Sequence, residues 1–518
     1  MNADRTTRRS RLGRMLVAAM TVTLTIVTFA AITLAGAVVT DRELYQPVPS
    51  EPVPATSAAY AEPGGGSAER LVVAFVAGHS GTIASDLLAP YDIFASSPAF
   101  TTYVVAEDAA PVPLEGGPAV VPTFTFADVD SDPGLQPDLV VVPGLTDPDG
   151  SSEAPLRDWV ARTHADGARV LGVCSGAMVL AATGMLDGLD ATSHWSRIKA
   201  LQADHPAVHW VRGQRYVDDG TVTTTAAVTS GIQGALHLVD ELVGPEEAQR
   251  VADLHPELGW SPTDSPAIPA DHFAAQDWPV ALDNLEPWFR PTVGISLNDG
   301  IGELDATAAF EVYAQSAAGR PVAVSAGNSV RTRHGLTLLT THTEDAPDLS
   351  WLVVPGGGFT AALQDLADHT DGATTVATAK MIGYATTDVD LGSTHRPGRA
   401  VLLALITLVV AAGIGCTPAL VLGRRRRRHR LSEGRPSITS QHTRSRIPRS
   451  EAHPVTTDSD QPGEDAPRST GQLLHFEPLS CGNPPWSSVP LGHGEKHYGV
   501  LDGLEGVSGV GNDHEVSG

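Results

Sequence analysis

Cys174 stands where a short apolar run meets a helix start, in the segment Val-Leu-Gly-Val-Cys-Ser-Gly-Ala at 170–177. A thiol at the start of a helix is favoured as a thiolate, because the first backbone N–H groups are unpaired and the helix dipole is positive there. Gly176 permits a sharp turn and close packing, as in a nucleophile elbow. The spacing makes Cys174 a candidate nucleophile; the alternative is an inert buried thiol.

Two other turns could bring further groups to this thiol. Pro143, Gly144 and Leu145 follow a buried apolar run, and the amides of Gly144 and Ser175 are candidate donors to an oxyanion. Asp86 lies just after the turn that begins at His79 and could position or relay a proton. Gly144, Leu145 and Gly176 are therefore the predicted oxyanion and pocket residues.

The elements that must position these residues alternate between strand and helix from about Arg70 to Val243. Such alternation predicts a parallel sheet covered by helices on both faces. Ligands bind beyond the carboxyl ends of the strands in such sheets, so the three turns are expected at one edge. Strands are predicted at 71–76, 102–106, 138–142, 169–173, 208–211, 216–218 and 222–224, and helices at 84–95, 155–166, 175–183 and 230–242.

The motifs in this segment resemble the ThiJ/PfpI family of the class I glutamine amidotransferase-like superfamily. The likeness is greatest to isonitrile hydratases and to the amidase-like domains of AraC-type regulators. It covers residues 70–245, a predicted ThiJ/PfpI-like domain. The resemblance rests on Val-Cys-Ser-Gly-Ala at 173–177, on Asp-Leu-Leu-Ala-Pro-Tyr-Asp-Ile-Phe at 86–94 and on Ala-Thr-Ser-His-Trp at 191–195.

This resemblance implies a flavodoxin-like α/β fold with a nucleophile elbow, Cys174 as nucleophile and Asp86 as its acidic partner. Ser175 keeps the hydroxyl of the family's threonine, and His194 occupies the family's histidine position. A structural histidine bonded to backbone is an equally open interpretation of His194. No histidine directly follows Cys174, so the protease-like Cys-His variant is not indicated. The resemblance implies no cofactor and no metal.

Residues 291–358 repeat the first half of the same pattern. The segment 305–314 aligns with 86–95 without a gap, and 348–357 echoes 138–145. No cysteine elbow follows, so we predict a degenerate half-domain over 291–398, joined to the first domain by a connector at 246–290. Its unfinished sheet would expose an edge and an apolar face. Dimer-like packing on the first copy within the chain is favoured, with a homodimer or a ligand site as alternatives.

Two apolar runs, 15–39 and 400–422, are long enough to cross a membrane as helices. Arginines precede the first run and follow the second, which predicts a multi-pass cell-membrane protein with both termini cytoplasmic and 41–398 outside. A cleaved signal peptide is the alternative for the first run. Residues 1–14 form the predicted cytoplasmic N-terminus, 40–69 a linker, and 423–518 a disordered cytoplasmic tail.

The net charge of −26 argues against a nucleic-acid partner. Cys174, Cys416 and Cys481 lie in three separate regions, so no disulfide framework is indicated. Two functions stay open: a cysteine-dependent hydrolase or hydratase acting on a small electrophile outside the membrane, and a non-catalytic sensor or regulator that binds a small-molecule ligand. A structural envelope protein would leave Cys174 without a role.

Overall fold

The computed structural model describes residues 2–45, 70–391 and 398–433. The α-helices in these ranges are α1 Asn2–Leu44, α2 Ala84–Ala95, α3 Phe126–Ser131, α4 Ala154–Ala165, α5 Gly176–Ala182, α6 Ile198–Asp204, α7 Val228–Leu242, α8 Pro245–Ala252, α9 Trp278–Leu285, α10 Glu303–Ser316, α11 Gly358–His369, α12 Gly372–Ile382 and α13 Gly398–Glu433.

Strands in the same ranges form three larger sheets and one short pair. Their bounds are β1 Leu71–Val76, β2 Phe100–Ala106, β3 Val112–Pro113, β4 Ala119–Val120, β5 Phe124–Thr125, β6 Leu139–Val142, β7 Arg169–Gly172, β8 Asp190–Ala191, β9 His209–Trp210, β10 Tyr216–Asp218, β11 Val222–Thr225, β12 Thr292–Ser296, β13 Arg320–Ser325, β14 Ser329–Arg331, β15 Thr337–Leu339, β16 Thr341–His342 and β17 Trp351–Val353.

The first unit is built on a sheet with the strand order β10-β11-β7-β6-β1-β2-β5, parallel except for β10. Alternate residues of β1 enter different cores, as the pleat requires. Val73 and Phe75 pack with α2 and α7, whereas Ala74 and Val76 pack with α4 and α5. The sheet is therefore covered on both faces, which explains the continuous apolar character of its central strands.

The second unit repeats four neighbouring strands of that sheet, the four that come first along the chain. Its order is β16-β13-β12-β17, all parallel, and it matches β5-β2-β1-β6 position by position. The first unit continues from β6 to β7 and the cysteine elbow, but the second sheet ends at β17. The second unit is thus a half-sheet without a nucleophile position.

The two units pack together around α2 and α10, which lie against each other. Their hairpins also join: β4 pairs with β15, so that β14-β15-β4-β3 is one antiparallel sheet. The side-chain contacts repeat across this interface. Ser85 of α2 bonds to Glu311 of α10, and the Leu304 amide of α10 bonds to Asp92, the residue that aligns with Glu311. The arrangement is a pseudo-twofold pair within one chain.

By length and composition, two helical segments could cross a membrane, Gly13–Leu44 and Val401–Arg425. They pack against each other and against α9. Two predicted boundaries were wrong: α1 continues to Leu44, into the predicted linker, and α13 continues to Glu433, into the predicted disordered tail. Arginine favours helix, and neither stretch contains a proline that would end the helix. The rest of the linker (46–69) and of the tail (434–518) lies outside the described residues.

Candidate functional site

Cys174 sits between β7 and α5 with a backbone φ of 52°, a left-handed conformation that is uncommon for a residue with a side chain. Its amide donates to Thr225 Oγ1 at 3.1 Å, and its carbonyl accepts from Ser193 Oγ at 3.0 Å. A Cβ at Gly176 would collide with the Val142 carbonyl oxygen. Glycine is therefore required there, and the surrounding bonds hold the elbow in a strained geometry that functional sites often keep.

Asp86 lies in the first turn of α2 and is fully buried. Its Oδ2 accepts a hydrogen bond from the Gly144 amide at 2.9 Å, while Oδ1 has no hydrogen-bond partner among the described residues. Burial, followed by the charge of Glu311, raises the pKa of Asp86 well above its usual range. Burial thus favours the protonated, neutral form of Asp86, which can donate a proton.

The expectation of a resting thiolate at Cys174 was wrong. Burial, then the charges of Asp86 and Glu311, raise the pKa of this thiol well above its usual range, against smaller opposing effects of the Ser175 amide and Arg197. Helix α5 has only seven residues, and its dipole does not outweigh desolvation beside two acidic groups. Cys174 is a neutral thiol until a ligand or a proton acceptor changes its surroundings.

The predicted oxyanion donors have other partners in this structure. The Gly144 amide donates to Asp86, and the Ser175 amide bonds to Cys174, whose pKa it lowers. Gly144 therefore positions the acid and is not free to hold an oxyanion. A side chain at Gly144 would meet Ser175 Oγ and Asp86 Oδ2, so this close approach also needs glycine.

His194 has both ring nitrogens engaged. Nε2 lies 2.9 Å from the Met381 carbonyl oxygen and Nδ1 lies 2.7 Å from Ser196 Oγ. Burial and, to a smaller extent, the charge of Arg197 lower the pKa of His194 to about 4, against an opposing effect of the hydrogen bond to the Met381 carbonyl. The ring is neutral and ties the first unit to α12, which favours the structural interpretation over a catalytic one.

A cavity of about 180 Å³ opens at the elbow, and both units supply its wall. Of the predicted site residues, it is lined by Cys174, Ser175, Leu145 and His194. Asp86, Gly144 and Gly176 stand just behind this lining. The other lining residues with polar or large side chains include Glu115 and Arg197 of the first unit, Gln315 and Met381 of the second, and Leu44 and Tyr45 at the end of α1.

Sequence reasoning missed Arg197 and Glu311. Burial lowers the pKa of Arg197 to about 10, which leaves a guanidinium charge at pH 7 on the cavity wall. Glu311 reaches Ser85 Oγ at 2.6 Å, and burial raises its pKa to about 7. One signal in the sequence could have drawn attention to Glu311. In the gapless alignment of 305–314 with 86–95, Glu311 is aligned with Asp92, an acid on the same helix as Asp86.

Comparison with known proteins agrees with this geometry. The DJ-1/PfpI family profile matches residues 72–241. An isonitrile hydratase from Pseudomonas putida is 36% identical over 173 residues, which make up 32% of this chain and 70% of the hydratase. The chain belongs to the DJ-1/PfpI family. The match confirms the flavodoxin-like α/β fold with a parallel sheet for the first unit.

Members of the DJ-1/PfpI family with other roles are also similar. The HTH-type transcriptional regulator GlxA of Rhizobium meliloti is 30% identical over 172 residues, and the match spans only 51% of that regulator. A ThiJ/PfpI family protein from Pseudomonas syringae has a solved structure that is 30% identical, with a TM-score of 0.33 over 38% of this chain and 78% of that one. The relatives thus include both an enzyme and a regulator.

Proposed function

We propose that this DJ-1/PfpI protein is a membrane-anchored hydratase or hydrolase that converts a small electrophile through a covalent adduct at Cys174. The observation that carries the proposal is the strained elbow: Cys174 is held at a φ of 52° on the wall of a cavity, next to the neutral acid Asp86. An inert buried cysteine needs neither the backbone strain nor the costly burial of an acid beside it.

An isonitrile, the substrate named for the Pseudomonas putida relative, fits this chemistry. The Cys174 sulfur bonds to the terminal carbon, Asp86 delivers its proton to that carbon, and the thiol proton replaces it on Asp86. A thioimidate results. Water then adds to the C=N carbon, its proton passes to nitrogen, and cleavage of the C–S bond releases a formamide and the Cys174 thiol. Arg197 offsets the negative charge that develops on sulfur and carbon as the new bond forms.

The cavity restricts the substrate to small molecules. Its volume of about 180 Å³ lies below the roughly 300–1,000 Å³ of pockets that hold drug-sized ligands. The wall carries the Arg197 guanidinium, the Gln315 amide and the carboxyl groups of Glu115, Asp147 and Asp149, and its other half is mainly apolar. This mixture suits a compact group with a polarised carbon.

The decisive experiment uses the full chain purified in detergent. Alkyl isonitriles, short amides and dicarbonyls are offered, and the formamide or acid product is followed by NMR. We expect turnover that Cys174→Ala abolishes and that Cys416→Ala, which removes the exposed cysteine of α13, leaves unchanged. Absence of any Cys174-dependent product across the three substrate classes would overturn the proposal.

A ligand-binding sensor is the second candidate, and one observation favours it. The cavity is walled by both units, through Gln315 and Met381 on one side and Cys174 on the other. A bound ligand would therefore act on the contact between the units. This function is supported if a ligand binds to Cys174→Ala as tightly as to the unaltered protein and is recovered unchanged.

A further inference from the structure

A second group of polar side chains lies at the junction of the two units, away from the cysteine elbow. It comprises Asp92 on α2, Glu303 at the start of α10, His334 in the turn between β14 and β15, and His255 in the connector after α8. Asp92 is six residues after Asp86, about 9 Å further along the helix. None of the four lines the cavity at Cys174.

The donor atoms of this group converge. His334 Nδ1 lies 2.8 Å from Glu303 Oε2 and 3.5 Å from Asp92 Oδ1. His255 Nε2 lies 3.7 Å from the same Asp92 oxygen. In a tetrahedral zinc site, with metal–ligand bonds of about 2.1 Å, neighbouring donor atoms are about 3.4 Å apart. The donor atoms of Asp92, Glu303 and His334 all lie within 4.8 Å of one another, as donors around one small cation do, and His255 adjoins this group beside Asp92.

Burial makes this group costly without a cation. Asp92 and Glu303 have no exposed surface, and only 6% of His255 is exposed. His255 Nε2 is buried and makes no hydrogen bond to any described residue, although it points at the Asp92 carboxylate. A buried polar atom without a partner is unusual in folded proteins, and a bound ion is a recognised explanation.

The other oxygens of the two carboxylates are fixed by backbone amides. The Leu304 amide donates to Asp92 Oδ2 at 2.8 Å, and the His334 amide donates to Glu303 Oε1 at 3.0 Å. Glu303 Oε2 faces His334, and Asp92 Oδ1, which also accepts a long hydrogen bond from Ser96 Oγ at 3.3 Å, faces both histidines. Outer bonds of this kind orient the ligands of protein metal sites.

We propose that Asp92, Glu303 and His334 bind one divalent transition cation, and that His255, whose Nε2 faces Asp92, moves in as the fourth ligand when the cation binds. Zinc is the best match to two imidazole and two carboxylate donors. All four coordination positions come from the protein, so the site is structural rather than catalytic. The cation would bind to the first unit, the connector and the second unit at once. It would thereby stabilise the contact between α2 and α10, which places Glu311 near Asp86.

The test uses zinc sulfate and the full chain in detergent. The protein is treated with a chelator, reloaded with excess zinc, passed through a desalting column and analysed for bound metal. We expect one zinc per chain, and loss of that zinc in His334→Ala and in His255→Gln. His237→Ala is the matched control, because His237 belongs to the other described three-residue group of candidate ligands, with Asp218 and Glu241, and this variant should keep its zinc.

Two further readouts separate ligation from folding. Cobalt(II) bound to the unaltered protein should show the strong visible absorption of a tetrahedral site, a result that needs no variant. Zinc should raise the unfolding temperature of the unaltered protein and not that of His334→Ala, which is expected to fold because His334 is partly exposed. No retained zinc, zinc kept by His334→Ala, zinc lost from His237→Ala, or a weak octahedral cobalt spectrum would each overturn the proposal.

Discussion

The charges that surround Cys174 come from both units of the chain. Asp86 and Glu311 raise the pKa of the thiol, and Arg197 opposes them to a smaller extent. Asp86 Oδ1 and Glu311 Oε1 are both buried without a hydrogen bond to any residue that the structure describes. Two acids this close in a dry site cannot both ionise at low cost, so their protonation is shared. The second unit therefore tunes the pKa of the Cys174 thiol, a group for which it has no counterpart among its described residues.

Glu311→Gln tests this coupling. The amide keeps the size of the side chain and an oxygen for Ser85, but it removes the charge that Glu311 carries above its pKa of about 7. We expect the pKa of Cys174 to fall, so that the alkylation rate of the thiol at pH 8 rises several-fold. The measurement is the rate of iodoacetamide labelling against pH in a background that carries both Cys416→Ala and Cys481→Ala, so that labelling reports on Cys174.

Glu344→Gln is the matched control for Glu311→Gln, because Glu344 is an exposed acid of the same unit. Its labelling profile should coincide with that of the unaltered protein. An unchanged profile for Glu311→Gln would show that the thiol is governed by burial alone.

His194 makes the fold sensitive to acid. The pKa of His194 is lowered from 6.5 to about 4 in the folded protein. Above pH 6.5 the ring is therefore neutral in the folded and in the unfolded chain, and its protonation costs the folded protein no stability. As the pH falls from 6.5 towards 4, the unfolded chain takes up a proton that the folded chain refuses. Stability then falls by on the order of 3 kcal/mol.

The measurement for His194 is urea unfolding of the full chain at pH 7 and at pH 4.5. In His194→Gln the loss between the two pH values should shrink, since glutamine cannot take up the proton and its amide can still donate to the Met381 carbonyl. His209→Gln, which alters an exposed histidine, should lose as much stability as the unaltered protein. Equal losses in all three proteins would exclude His194 as the acid-sensitive group.

Among the elements, the regular ones were predictable and the composite site was not. Helix α2 was predicted at 84–95 and occupies Ala84–Ala95, and the strand predicted at 216–218 occupies Tyr216–Asp218. Their apolar runs and turn residues are local signals. The two-residue strands β3 and β4 have no period to detect, and the partners of Asp86 and Cys174 arrive from distant segments. Protonation of the thiol depends on that assembly, so it could not be derived from the helix start alone.

Gly176→Ala tests how tightly β6 and α5 fix the elbow. The new methyl group would meet the Val142 carbonyl oxygen, a backbone atom that cannot rotate away. Overpacking of this kind costs about 1–3 kcal/mol. We expect a lower free energy of unfolding in urea and loss of Cys174-dependent turnover. Gly327→Ala, where the added carbon would meet only ordinary contacts, should stay within about 0.5 kcal/mol of the unaltered protein.

In the whole molecule, the two apolar helices leave the folded units from the same side. Thr40 of α1 donates to the Asn284 carbonyl at 2.7 Å, and Thr407 of α13 donates to Glu286 at 2.6 Å. Further along, a side chain at Gly415 of α13 would meet Thr25 of α1, so the helices run antiparallel in contact. Their far ends both carry arginines, at 5–14 and at 424–428. This geometry supports a two-span anchor with the arginine-rich ends in the cytoplasm.

Paired reporters test that topology on the full chain. Alkaline phosphatase, which is active only outside the cytoplasm, should be active when inserted after the exposed Asp345 and inactive when fused after Arg430. A fluorescent protein that folds in the cytoplasm should give the opposite pattern. If the first helix were instead a cleaved signal, with cleavage after the Ala-Gly-Ala at 35–37, Arg430 would remain cytoplasmic, but the mature chain would lack most of α1. Intact mass of the membrane-extracted protein separates these cases, and phosphatase activity after Arg430 contradicts both.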